Sequence, residues 1–98
     1  MRLLTTDGQG DGEVPYTGKL DELQRLVGGY IEFLTFPDGS AMICNEEGKL
    51  NRMPLNRTAT ALALVKFASH GLDWDDVLVG PCIFVNKTEM VRMEEEEP

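Results

Sequence analysis

The chain has one histidine, two cysteines and one tryptophan among 98 residues, with nine lysines and arginines against 17 acids. Each scarcity removes a class of chemistry. His70 stands alone, and Cys44 and Cys82 lack paired ligand spacing, so the residues that usually hold zinc are missing. No cysteine or serine has a recognisable base beside it in sequence, which argues against nucleophilic catalysis. The bases never cluster, so nothing neutralises a run of phosphates and direct nucleic-acid binding is disfavoured. No apolar run approaches the roughly 20 residues of a membrane-crossing helix. The opening residues, Met1 to Gly8, lack the apolar centre of a secretory leader. Gly8, Gly10 and Gly12 precede no strong helix and do not read as a phosphate-cradling loop. No cofactor and no metal is expected, and the cytoplasm is the simplest location.

The two cysteines each lie in an apolar run and read as small buried hydrophobes. A bridge between two central strands would be unusual in a reducing compartment.

What is present suits one compact domain: 42% of residues are hydrophobic and the length allows a single core. The net charge is −8, but Glu94 to Glu97 form a run of acids beside Pro98. Such a run reads as a solvated tail. The expected organisation is therefore one domain over residues 1–89 and an acidic, disordered tail over 90–98.

Within the domain, Met1 to Thr6 and Glu13 to Tyr16 read as short strands around a glycine-rich loop. Leu20, Leu23, Leu26 and Val27 recur at helical spacing, which predicts an amphipathic helix of about three turns. Thr17 or Gly18 would cap it and Gly28 would stop it. Tyr30 to Phe36 and Ala41 to Asn45 read as an antiparallel hairpin closed by Pro37-Asp38-Gly39-Ser40. Asn56 is a good N-cap for a second helix that Gly71 would end. Val77 to Val79 and Cys82 to Val85 are strand-like, with Gly80-Pro81 as a bulge or corner. The class that follows is α+β: a mostly antiparallel sheet of four to six short strands with two helices on it.

The candidate site gathers where these elements begin and end. Glu32 places a carboxylate in a row with Tyr30, Leu34 and Phe36, and Arg57 sits at a helix start where the dipole disfavours a cation. Each calls for a partner, either the other in an ordinary ion pair or a ligand. Tyr30, Glu32, Asn45, Glu46, Glu47, Asn56 and Arg57 are the candidate ligand- or partner-binding residues. On the sharper reading Glu32, Asn45, Asn56 and Arg57 line one small pocket.

Four segments, Gly28-Gly29-Tyr30-Ile31-Glu32, Cys44 to Leu50, Pro54 to Thr60 and Val77-Leu78-Val79-Gly80, occur in this order. Together they resemble a family of short proteins known as domain of unknown function 3846. The likeness covers about Val27 to Val85, and its specific part is Asn-Glu-Glu-Gly with Asn-Arg-x-Ala-Thr. The resemblance implies a mobile-element origin, and it supplies no established activity and no catalytic residues. The expected function is that of a non-enzymatic accessory protein binding a host macromolecule, for example a defence component. One alternative is a binder that sequesters a nucleotide-derived signal, with Asn56 and Arg57 on its phosphate or ribose. A third is a metal-dependent hydrolase using Glu32 or the paired acids.

Overall fold

The computed structural model describes residues 1–96. In chain order the elements are β1 (Arg2–Leu4), β2 (Gly12–Glu13), α1 (Leu20–Val27), β3 (Ile31–Thr35), β4 (Ala41–Asn45), α2 (Arg57–Ala68), β5 (Cys82–Val85) and α3 (Lys87–Glu96). The five strands form one antiparallel sheet in the order β2-β1-β5-β4-β3. The fold is α+β.

The period-2 alternation of strand side chains divides the core into two layers. On one face Leu4, Met42, Cys44 and Cys82 meet Ala59 and Ala63 of α2, with Phe36, Leu62 and Phe67 filling in around them. On the other, Met1, Ile43, Ile83 and Val85 meet Leu23 and Val27 of α1, joined by Met90 and Met93 of α3. The sheet is thus covered on both sides. This explains why every residue of β4 is buried and why that strand does not alternate polar with apolar.

The helix ends follow from particular residues. Gly28 takes a left-handed φ of 84°, and its N–H closes α1 on the Gln24 carbonyl at 2.8 Å. Asn56 caps α2, its Oδ1 accepting the Ala59 N–H at 3.0 Å. Trp74 stacks on Phe67 at 5.8 Å between ring centroids and holds the following loop to the helix.

Four expectations change. The first helix starts at Leu20 behind Lys19, not at Thr17 or Gly18, and so spans 8 residues. Val77 to Val79 form no sheet strand; an isolated bridge joins Val79 to Leu55, and Leu78 accepts the Asn56 N–H. Pro54 and Pro81 flank this crossing and restrict further pairing. There are three helices, not two, because residues 90–96 belong to α3 rather than to a tail. A capping box starts α3: Asn86 Oδ1 accepts the Glu89 N–H at 2.8 Å, and Glu89 Oε1 accepts the Asn86 N–H at 3.1 Å. Arg92 lies over the Tyr16 ring, 3.9 Å from its centroid. Glu97 and Pro98, the end of the expected tail, lie outside the described residues.

Candidate functional site

Two shallow hollows open on either side of the end of β4, and Asn45 is in the wall of both. The first, of about 250 Å³, is bordered by Gln24, Gly29, Tyr30, Asn45, Glu47 and Asn51. The second, of about 90 Å³, lies over the α2 side of the sheet and is bordered by Glu32, Cys44, Asn45, Glu46, Lys49 and Asp76.

Local structure explains why Asn45 stands between them. Its Nδ2 donates to the Val27 carbonyl at 3.2 Å, taking up an end group of α1, and its Oδ1 accepts the Glu47 N–H at 2.8 Å. The second bond is an Asx turn that carries the chain out of the sheet. Gly29 makes room for this amide, since a Cβ there would stand 2.9 Å from Asn45 Nδ2. Asn45 is therefore a structural part of the rim, with both ends of its amide engaged.

The sequence-selected residues separate into two groups. Tyr30, Asn45 and Glu47 meet at the first hollow, and Glu32, Asn45 and Glu46 at the second. Asn56 and Arg57 join neither. Asn56 is 0% exposed, and its Nδ2 donates to the carbonyls of Leu4 and Gly80, both at 2.9 Å. Its polarity is used up by a cap and two strand-end carbonyls. Arg57 is exposed, and among the described residues neither it nor Glu32 forms an ion pair. The single pocket of Glu32, Asn45, Asn56 and Arg57 is thus not formed, and the expected Glu32–Arg57 bridge is not made. The reason is that the N-cap fixes Asn56 inward, while solvent takes Arg57 at the first helical position.

Other contributors had no local signal. Lys49 Nζ donates to Asp76 Oδ1 across 27 positions of sequence. That bond, with the Val77 N–H, holds the Asp76 carboxyl below its ordinary pKa. One of the acids that might have bound a cation thus already has one. Among the described residues no group of three or more His, Cys, Asp or Glu side chains is placed to hold a metal ion. No helix among them is long and apolar enough to cross a membrane.

Beside both hollows runs the free edge of the sheet. Glu46 N–H donates to the Tyr30 carbonyl and Phe36 N–H to the Ser40 carbonyl, each at 2.8 Å. These are hydrogen-bonded pairs of the β3–β4 register, in which Glu32 faces Cys44 and Leu34 faces Met42. Because such pairs alternate, Glu32 and Leu34 direct their backbone groups at β4, and Ile31, Phe33 and Thr35 direct theirs outward. No strand among the described residues covers that edge. Phe33 is 43% exposed on it, and Tyr30, just before it, is 65% exposed. Glu32 is the one charged residue of the strand, and no Pro or Lys blunts it.

The chain belongs to the family described as Domain of unknown function (DUF3846), whose pattern matches residues 1–96. The match extends through β1 at one end and α3 at the other, well beyond the stretch that carried the resemblance. No curated protein and no solved structure matches the chain.

Proposed function

We propose that this protein is a non-catalytic binding module of mobile-element origin that engages a host protein, in the leading case a defence component. The partner adds an extended segment to the β3 edge. The observation that carries the reading is that edge: outward backbone groups on Ile31, Phe33 and Thr35, flanked by two exposed aromatic rings. Strand addition supplies main-chain hydrogen bonds for affinity, and side-chain pockets supply specificity. Aromatic side chains that become buried near the centre of such an interface are common anchors.

Charge indicates the kind of segment. Glu32, Glu46 and Glu47 line the adjacent rim, and the whole chain carries −8. A basic, extended stretch with apolar residues opposite Ile31 and Phe33 complements both features. A nucleotide-derived ligand is less well served. The larger hollow has Glu47 and amides in its wall and no Lys or Arg, and Arg57 lies elsewhere. Among the described residues the hydrolase reading has no metal-holding cluster of acids to support it.

The test is capture from the native host with the wild type and with Phe33→Lys, which places a charge on the outward edge. The reading expects a partner retained by the wild type and lost with the variant. It also expects slowed amide exchange at Ile31, Phe33 and Thr35 in the complex. Equal capture by both proteins, or no partner from the native host, overturns it. A thermal shift with cyclic dinucleotides or ADP-ribose derivatives would favour the small-ligand alternative instead.

A further inference from the structure

The only two cysteines of the chain lie on neighbouring strands, each one residue beyond the last registered pair of β4 and β5. Pairing of Met42 with Phe84 and of Ile43 with Ile83 puts the next residue of β4, Cys44, across from the first of β5, Cys82. Both side chains belong to the α2-side core, so they share a face of the sheet. Hydrogen-bond alternation sharpens the geometry. Glu32 and Cys44 form a hydrogen-bonded pair between β3 and β4, so the backbone groups of Cys44 point to β3 and not to β5. Cys44 and Cys82 are therefore a non-hydrogen-bonded pair, the kind in which Cα atoms lie about 4.5 Å apart and side chains approach most closely. That spacing falls inside the range a disulfide spans, roughly 4.4–6.8 Å between Cα atoms.

Access differs between the two. Cys82 is 0% exposed, whereas Cys44 is 5% exposed and forms part of the wall of the smaller hollow beside Glu32 and Lys49. Interaction with Cys44 and then burial push the Cys82 thiol above its ordinary pKa, and its Sγ donates to the Gly80 carbonyl at 3.5 Å.

We propose that Cys44 and Cys82 are a redox-active pair that closes a reversible cross-strand disulfide, with Cys44 as the entry point for the oxidant. A peroxide reaching the hollow oxidises the Cys44 thiol to a sulfenic acid and leaves as the corresponding alcohol, or as water when it is hydrogen peroxide. The Cys82 sulfur then attacks the Cys44 sulfur, the S–S bond forms, and the sulfenic hydroxyl departs with the Cys82 proton as water. A dithiol reductant reverses the bridge by exchange through a mixed disulfide. Closure ties β4 to β5 and removes the thiol from the hollow's wall next to Asn45 and Glu46, so the oxidation state is read at the rim of the candidate site. This inference stands whether or not the β3 edge binds a partner.

The experiment treats the folded wild-type protein with hydrogen peroxide, and in parallel with diamide. Intact mass and a non-reducing peptide map are then recorded. The expected product is a monomer lighter by two hydrogens, with Cys44 and Cys82 in one linked peptide pair, a raised urea midpoint, and full recovery with dithiothreitol. Cys44→Ser and Cys82→Ser are each expected to abolish the linked pair. Cys82→Ser is also expected to leave a sulfenic acid on Cys44 that dimedone captures. Three results overturn the proposal: both thiols still titrating after treatment of the folded protein, a bridge that forms only in urea, or a covalent dimer as the main product. The first two need no variant to fold, so a misfolded serine variant leaves the outcome decidable.

Discussion

The side-chain amide of Asn56 donates to the carbonyl of Leu4 at 2.9 Å, joining the start of α2 to a strand end 52 positions earlier. The same nitrogen donates to Gly80, and the amide oxygen caps the helix through Ala59. One fully buried residue thus holds β1, α2 and the approach to β5 together. Replacing it by Ala removes a cap worth about 1 kcal/mol and two side-chain hydrogen bonds to strand-end carbonyls, at about 1 kcal/mol each. Asn56→Ala is expected to lower unfolding stability by about 3 kcal/mol in urea. Asn56→Asp is expected to be at least as harmful, because it keeps the cap but turns an acceptor toward two carbonyls. A loss below 1 kcal/mol would refute the assignment.

Asp38 sets part of the acid sensitivity. Its Oδ2 accepts from Lys66 Nζ, and its Oδ1 accepts from both the hydroxyl and the N–H of Ser40. Lys66 first, then Ser40, hold its carboxyl far below the ordinary carboxylate range. A depressed folded-state pKa means that this stabilisation is complete above the unfolded value near pH 4 and is lost as the pH falls below it. Asp38→Asn is therefore expected to flatten the fall in stability between about pH 5 and pH 2, read from urea midpoints across that range. The flattening is partial, since Asp76 is shifted in the same direction by Lys49.

Much of the fold was legible because local chemistry and tertiary packing agree. Pro37-Asp38-Gly39 closes the hairpin, Gly28 ends α1, and Asn56 caps α2, each at the position its residue type favours. The acids of α3 outweighed its weaker signals. The box Asn86–Glu89 was present in sequence, and Met90 and Met93 carried the helical spacing that packs on α1's layer. At the candidate site, the residues that meet there come from segments far apart. Lys49 reaches Asp76, and Asn45 reaches Val27, through contacts that no local pattern encodes. The positions of Glu32 and Arg57 each call for a partner in sequence, but both charges are exposed and water satisfies them.

That capping box gives a direct test of α3. Asn86→Ala removes the bond to the Glu89 N–H and is expected to cost about 1 kcal/mol. Amide exchange should accelerate over residues 87–93 while β4 stays protected. An unchanged exchange profile would show that packing of Met90 and Met93 alone holds the helix.

The rim depends on Asn45 in a way that separates its two bonds. Asn45→Asp retains the acceptor for the Glu47 N–H but replaces the donor to Val27 with a negative oxygen. That oxygen faces the negative end of the α1 dipole. The expected cost is about 2 kcal/mol, and it should shrink as the pH falls and the new carboxyl protonates. Unchanged stability would argue that the turn, and not the helix end, is what Asn45 secures.

Paired proline substitutions test the backbone direction of β3. The Phe33 N–H points away from β4, so Phe33→Pro removes no ladder bond; proline is tolerated at such outward positions of edge strands. The Leu34 N–H points into the ladder opposite Met42, so Leu34→Pro breaks the sheet's hydrogen bonding. Phe33→Pro is expected to cost about 1–2 kcal/mol, from lost ring packing and adjustment of φ. It should still give a cooperative folded protein. Leu34→Pro is expected to cost about 3 kcal/mol or more. Because both variants add the same ring to adjacent residues, their difference reports which way the groups face. If Phe33→Pro proves the more destabilising, the outward edge at Phe33 is refuted, and the strand-addition surface built on it fails as well.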